Sequence, residues 1–172
     1  MKKISLIPLL SISILFCSFL LFFAFTQKKE EFYIAEAYKN NSYQQKTGIN
    51  DSVYHSLVSE EEKQGIYFPS HKVTKAILHY KNPPKNQRDL NKTVTREVLK
   101  ILNDSSSYRW GELGTPEVHY FITFYDKNDK CIGVTTIDVE GMAYSFPAIA
   151  KMKWGMLKKM SNLLSILEDS IN

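Results

Sequence analysis

The chain has 172 residues, with 22 Lys and Arg against 18 Asp and Glu, a hydrophobic content of 44% and two cysteines. This length accommodates one compact domain with an appendage and is short for two full domains. Charged residues at 23% and aromatic residues at 13% argue against wholesale disorder, and the two cysteines exclude a disulfide-stapled miniprotein and a cysteine-rich zinc module.

The N-terminal residues 1–26 carry the clearest compositional signal. Between Ile4 and Phe25, 22 consecutive positions contain no charged side chain. A helix of this length measures about 33 Å, enough to cross a hydrocarbon core of about 30 Å. The apolar stretch of a cleaved signal peptide is shorter, about 7–15 residues. We therefore predict an uncleaved transmembrane segment that serves as a single-pass signal anchor.

Two alternatives to an uncleaved anchor stay open. One is export followed by signal cleavage, although the stretch ending at Thr26 matches a cleavage site poorly. The other is a lipoprotein modified at Cys17, although Phe16 is bulky where processing prefers a small residue. Basic residues on both sides barely distinguish the orientations. The short leading tail favours a C-terminal domain outside the cytoplasm, and the lysine-rich composition favours a bacterial cell membrane.

Residues 27–68 are predicted as a juxtamembrane stalk that leads into the folded domain. The polar stretch 39–46 is typical of a linker. A short helix is predicted over residues 52–64, with Asp51 as its N-cap and Gly65 as its stop. The folded domain is predicted to span residues 69–172.

Alternation of apolar and polar side chains predicts the strands of this domain. Residues 71–81 alternate, with Ala76, Leu78 and Tyr80 on one face and His79 on the other. Residues 118–125 alternate more clearly, a polar turn follows at 126–129, and residues 131–139 are rich in Ile, Val and Thr. These two segments predict a hairpin, which a second turn extends into a short strand over 142–146.

Two helices are predicted from apolar residues spaced at three or four positions. Leu90, Val94, Val98 and Leu102 form a stripe that predicts the first helix. Pro147 suits the first turn of a final helix that runs towards the C-terminus and that bends at Gly155 or begins just after it.

These elements predict an α+β fold. Its small antiparallel sheet has a three-stranded meander and one N-terminal strand, and two helices pack on one face of the sheet. The predicted transmembrane helix precedes this domain.

Catalytic and cofactor-binding patterns are absent from the sequence. The histidines lack metal-ligand spacing, His119 is predicted as a surface residue, and Cys131 as an ordinary strand residue. No phosphate-binding loop, nucleophile elbow or dinucleotide motif occurs. We therefore expect no enzyme activity, no metal and no cofactor. The alternative is a small hydrolase or ligand-binding enzyme that uses Glu112 and His119.

A basic ridge is the first candidate binding surface. Its residues recur every four positions and are Arg88, Lys92, Arg96 and Lys100. Like charges at this spacing destabilise a helix slightly, which suggests an anionic partner such as lipid headgroups. The plainer interpretation is a solvated helix face with Glu97 nearby.

An aromatic loop is the second candidate surface. Residues 108–116 join the first helix to the hairpin and combine aromatic, glycine and proline residues. Such loops supply large rigid contact areas. The predicted binding residues are Tyr108, Trp110, Glu112, Tyr144 and Phe146. The alternative is that Trp110 and Trp154 seal the edges of a small core.

The charge balance argues against a nucleic-acid partner. Without Lys2 and Lys3, 20 basic side chains face 18 acidic ones, so the part outside residues 1–26 is nearly neutral. We therefore predict a non-enzymatic, membrane-anchored envelope protein whose domain binds a protein or peptide, with an inhibitor or immunity-like role as one form. Anionic-lipid contact through the basic ridge is a further alternative.

Overall fold

The computed structural model describes residues 32–37, 51–80, 87–109, 118–138, 141–152 and 156–169. The predicted transmembrane residues 4–25, and Cys17 within them, lie outside this set. The chain divides into two units, Met1–Phe32 and Tyr33–Asn172. The elements described below belong to the second unit, apart from Phe32. Among the helices in the described ranges, none has the length and apolarity needed to cross a membrane.

The described helices are α1 (residues 32–37), α2 (Asp51–Gln64), α3 (Lys92–Asn103) and α4 (Met160–Asp169). The described strands are β1 (Lys75–Tyr80), β2 (Gln87–Leu90), β3 (Tyr108–Arg109), β4 (Val118–Tyr125), β5 (Cys131–Asp138), β6 (Ala143–Phe146) and β7 (Met156–Leu157). Short 3₁₀ turns occupy Ser105–Ser107 and Ala150–Met152.

The main sheet contains five antiparallel strands in the order β2-β1-β4-β5-β6, and β3 pairs with β7 separately. The predicted α+β class is confirmed, as is the hairpin that continues into a third strand. The carboxylate of Asp126 closes the β4–β5 turn by accepting from the backbone N–H groups of Asn128 at 2.8 Å and Lys130 at 3.1 Å. This turn chemistry explains why the polar stretch reverses the chain.

The prediction of four strands was wrong, because the helical stripe of apolar residues was extended back to Leu90, which belongs to the additional strand β2. Leu90 is the last residue of β2 and pairs with Ala76 of β1. Asn91 then caps α3, with an extended backbone and a side-chain oxygen that accepts from the Val94 N–H at 2.9 Å. Because a strand residue and a helix residue can both present an apolar side chain to the core, spacing alone did not separate them.

Of the two starts predicted for the final helix, the one near Pro147 was wrong, and the one after Gly155 is closer to the structure. The chain forms the 3₁₀ turn Ala150–Met152 and the strand β7 before α4 begins at Met160. In β7, the Leu157 N–H donates to the Gly141 carbonyl at 2.9 Å, and the next N–H, of Lys158, donates to Ser107 at 2.7 Å. These long-range hydrogen bonds satisfy the backbone in an extended form, which helical spacing cannot reveal.

One face of the sheet, which we call the first face, packs against α3 and α4. Its core residues include Leu78, Ile122 and Phe124 from the strands, with Leu102 from α3 and Leu163 from α4. The rings of Phe124 and Phe68 meet edge to face, with centroids 5.6 Å apart. These contacts bury the apolar stripe of each helix, which supplies most of the stability of such a layer.

The opposite face, which we call the second face, contacts α1. Tyr33 and Ala37 are buried in a cluster with Val118, Phe121 and Val134. Register shifts in the β4–β5 pair let Val118 reach this face. All eight residues of β5 are buried, so both faces of this strand are covered.

The segment predicted as a stalk supplies further buried residues. α2 confirms the predicted helix, which ends at Gln64 and is followed by Gly65 with a φ of +66°. The buried Glu61 carboxylate accepts from the Ala150 N–H at 3.0 and 2.8 Å. Phe68 lies in the first-face core, where the Asn103 side chain donates to its carbonyl and accepts from its N–H. Glu61 and Phe68, which belong to the segment predicted as a stalk, therefore contact residues of the segment predicted as the folded domain.

Candidate binding groove

The aromatic residues predicted as a site are divided between the two faces. Tyr108 is only 6% exposed in the first-face core, and its hydroxyl donates to the Leu102 carbonyl at 2.8 Å. Tyr144 and Phe146 are half-buried on β6, where Phe146 packs with the second-face cluster. The structure therefore does not bring Tyr108 together with Tyr144 and Phe146.

Three residues named in the predictions for the aromatic loop lie outside the described ranges, namely Trp110, Glu112 and Trp154. Of the residues in the hydrolase alternative, the structure describes His119, which is half-buried on β4.

The predicted basic ridge is split between a strand and a helix. Arg88 lies exposed on β2, whereas Lys92, Arg96 and Lys100 are exposed on α3. Lys92 and Arg96 line a groove, and Lys100 is not among its lining residues.

This binding groove is an open cavity of about 530 Å³ on the α3 side of the sheet. It lies between the segment that precedes β1, the last residue of β2 and the first turns of α3. Its lining residues are Lys72, Val73, Thr74, Leu90, Lys92, Thr95, Arg96 and Leu99. The volume falls within the range of small-ligand pockets, roughly 300–1,000 Å³.

The local sequence explains why the groove forms here. Leu90 is anchored in the sheet by its pairing with Ala76, and the Asn91 cap turns the chain directly into α3. Lys92 and Arg96 are four residues apart, so they lie on the same side of the helix, about 5–6 Å apart at Cβ.

The walls of the groove combine positive charge with apolar surface. Lys72, Lys92 and Arg96 are exposed, and no acidic residue is among the described residues that line the groove. Arg96 has a carboxylate neighbour outside the lining, with its Nε 3.6 Å from Glu97. Leu90 is buried, and Val73 and Leu99 are half-buried, so these three side chains form an apolar floor.

The two threonines of the groove direct their hydroxyl protons to the protein backbone. Thr95 donates to the Asn91 carbonyl at 2.9 Å, and Thr74 donates to the Tyr125 carbonyl at 3.3 Å. Among the lining side chains, the three cations therefore supply the N–H donors that can reach a ligand.

A second polar cluster is buried on the second face. The Tyr33 hydroxyl lies 3.0 Å from His79 Nδ1, and His79 Nε2 lies 2.8 Å from Thr123 Oγ1. His79 lies on the strand face opposite Ala76 and Leu78, as the alternation predicted, and it is only 2% exposed there. Thr123 on the neighbouring strand was the available signal, because buried imidazoles need polar partners.

Burial also makes two reactive groups on this face unreactive. Desolvation raises the pKa of Tyr33 to about 12 and the pKa of the Cys131 thiol to about 11. Both groups stay protonated at neutral pH, as they would at their ordinary pKa values, and the raised pKa of Cys131 leaves even less thiolate to act as a nucleophile.

A search for metal-binding clusters among the described residues and comparisons with known proteins identify no further candidate site. In the described ranges, no three His, Cys, Asp or Glu residues are grouped to hold a metal ion. Comparisons with protein-family models, curated proteins and solved structures found no match. The binding groove is therefore the site on which a functional proposal rests.

Proposed function

We propose that the protein is a non-enzymatic binding module whose groove holds a segment of a partner protein. The proposal includes the anchor predicted from residues 4–25, with the C-terminal domain outside a bacterial cell membrane. The observation that supports it is the groove of about 530 Å³, which joins three cationic side chains to an apolar floor. An inhibitor or immunity-like role is one form that such binding takes.

Both parts of the groove favour a protein segment as the occupant. The apolar floor gains free energy when a side chain removes it from water, at about 25 cal/mol per Å². The exposed cations attract an anionic partner and speed its association, an effect that falls as salt rises.

Photo-crosslinking in the native membrane tests this proposal. A benzophenone amino acid at Thr74, which is exposed at the groove, is expected to capture a discrete protein partner. The same probe at Ser165, exposed on α4, is the matched control. Capture at Thr74 that disappears in Arg96→Glu supports the proposal, whereas equal capture at both positions contradicts it.

Contact with anionic lipid is the second candidate, because Lys92, Arg96 and Lys100 form an exposed row on α3. This mode depends on charge along the whole row. Binding of the full chain to phosphatidylglycerol vesicles would then fall equally in Arg96→Glu and Lys100→Glu. A loss confined to Arg96→Glu would count against a lipid surface.

A further inference from the structure

We infer that the binding groove recognises an acidic amphipathic segment, in which two carboxylates flank one apolar side chain. This inference rests on the proposed function and specifies the chemistry of the partner. It follows from the charge, the hydrogen-bonding capacity and the floor of the groove, which we take in turn.

The charge of the groove calls for more than one anionic group. Lys72 approaches it from the segment before β1, whereas Lys92 and Arg96 approach it from α3. Arg96 has a carboxylate neighbour in Glu97, and that pair is exposed. Exposed pairs of this kind are weak, worth about 0–1 kcal/mol, so a ligand can compete for the guanidinium.

The hydrogen-bonding capacity of the groove favours carboxylates over amides. The hydroxyl protons of Thr74 and Thr95 go to backbone carbonyls, so the lining side chains present cationic donors. A carboxylate is an acceptor with two oxygens, and it matches a guanidinium or two ammonium groups. A glutamine amide brings only one acceptor oxygen and carries no charge, so we expect it to bind more weakly.

The floor of the groove calls for an apolar side chain between the acidic groups. Val73 and Leu99 are half-buried, so part of their surface still contacts water. Both also pack against the first-face core, which holds them in place without a ligand. A leucine or similar side chain would cover this preformed surface, and a serine would not.

Peptide binding by the full chain, held in neutral-lipid nanodiscs, tests the inference. Fluorescent peptides with a Glu-Leu-Glu centre and Gly-Ser flanks are compared with matched Gln-Leu-Gln and Glu-Ser-Glu peptides by fluorescence anisotropy. We expect each replacement to weaken binding at least tenfold. Raising the salt concentration should weaken binding of both acidic peptides, Glu-Leu-Glu and Glu-Ser-Glu, by similar factors, and it should affect the uncharged Gln-Leu-Gln peptide less, because ionic screening acts on charge.

Protein variants assign the effect to the groove. Lys92→Gln and Arg96→Gln are each expected to weaken Glu-Leu-Glu binding at least threefold. Lys100→Gln removes the same charge from the same helix outside the groove, and it should leave affinity unchanged. Val73→Ser should weaken binding of the Glu-Leu-Glu peptide. It should also reduce the ratio between the affinities for the Glu-Leu-Glu and Glu-Ser-Glu peptides. All four variants are checked by thermal melting, so that loss of fold is distinguished from loss of a contact.

The outcomes separate this inference from the proposed function. If the Thr74 probe captures a protein but the three peptides bind equally or not at all, the inference is wrong and the binding module stands. If the Thr74 and Ser165 probes capture proteins equally, the proposed function fails as well. Binding to anionic vesicles that Lys100→Gln and Arg96→Gln reduce equally, without peptide selectivity, would assign the surface to lipid and overturn both.

Discussion

The two faces of the sheet are buried by different chemistry. The first face contacts α3 and α4 through an almost entirely apolar core that includes Leu78 and Phe124. The second face contacts α1 and also buries polar side chains, among them His79 and Thr123. The first face is therefore stabilised mainly by area removed from water, whereas the second also depends on polar groups finding partners.

This difference has a consequence for specificity. An apolar contact tolerates small shifts, because one methyl group can replace another against the same surface. A buried hydrogen bond requires both partners at one distance, so Tyr33 against His79 fixes where α1 lies on β1. We expect substitutions on the first face to cost more stability and those on the second face to show stronger pairwise coupling.

Phe124→Ala tests the apolar side of the comparison and has the largest expected effect. Phe124 is fully buried and packs edge to face against Phe68. Removing the ring should lower the free energy of unfolding by about 3–5 kcal/mol. Urea unfolding of the full chain measures this change. A loss below about 1 kcal/mol would show that the first face does not depend on this packing.

Gly133→Ala tests how closely the same face is packed. A Cβ at Gly133 would lie 2.9 Å from two ring atoms of the fully buried Phe68. We expect a loss of about 1–3 kcal/mol from this overpacking. Phe68→Leu should recover part of the loss in the double variant, because it removes the clashing ring atoms.

A second glycine separates steric clash from backbone strain. Gly65 has a φ of +66°, and a Cβ there would meet nothing within 4 Å. Gly65→Ala should therefore cost about 1 kcal/mol through its left-handed backbone alone, and Phe68→Leu should not rescue it. If Phe68→Leu restored the stability of both glycine variants, or of neither, the packing explanation for Gly133→Ala would be contradicted.

His79→Phe and Tyr33→Phe test the polar second face. His79→Phe leaves the Tyr33 and Thr123 hydroxyls without the imidazole that contacts them, and should cost about 1–3 kcal/mol. Tyr33→Phe, which removes one hydroxyl, should cost less. Urea unfolding of both single variants and the double variant gives the coupling energy. We expect at least about 0.5 kcal/mol, and strict additivity would show that the two rings do not act as a pair.

The pair Asp104–Lys159 has the smallest expected effect and links the end of α3 to the start of α4. Hydrogen bonds from Lys159 and Ser106 lower the pKa of Asp104 to about 2, from an ordinary value of 3.8. A lowered carboxyl pKa adds stability that is complete above the ordinary value and is lost as pH falls towards 2. Both side chains are about a third exposed, so the contribution is below about 1 kcal/mol.

Asp104→Asn measures that contribution, because asparagine keeps a side-chain oxygen for the Ser106 N–H. The free energies of unfolding of the variant and the unchanged protein should differ most above pH 4 and converge near pH 2. A difference that stayed constant between pH 7 and pH 2 would show that the carboxylate charge is not responsible.

The candidate site was only partly predictable. The sequence indicated Lys92 and Arg96 as basic residues on one helix face, and both line the groove. Lys72 contributes from a segment 20 residues earlier, so its proximity depends on how β1 and α3 meet. Arg88 followed the same four-residue spacing but lies on β2, because its backbone pairs with β1. Residue spacing indicates which side chains share a face of one helix or strand, whereas a groove forms between different helices and strands.

The sequence by itself determined the features that depend on neighbouring residues. These are the β4–β5 hairpin, whose turn Asp126 closes with its own side chain, and the apolar stripe of α3. Only the tertiary structure decided that His79 is buried and that residues 156–157 form a strand rather than a helical turn. The physical reason is that local choices depend on side-chain spacing and turn chemistry. Burial and strand pairing depend on groups that are distant in the chain, such as Tyr33 for His79 and β3 for β7.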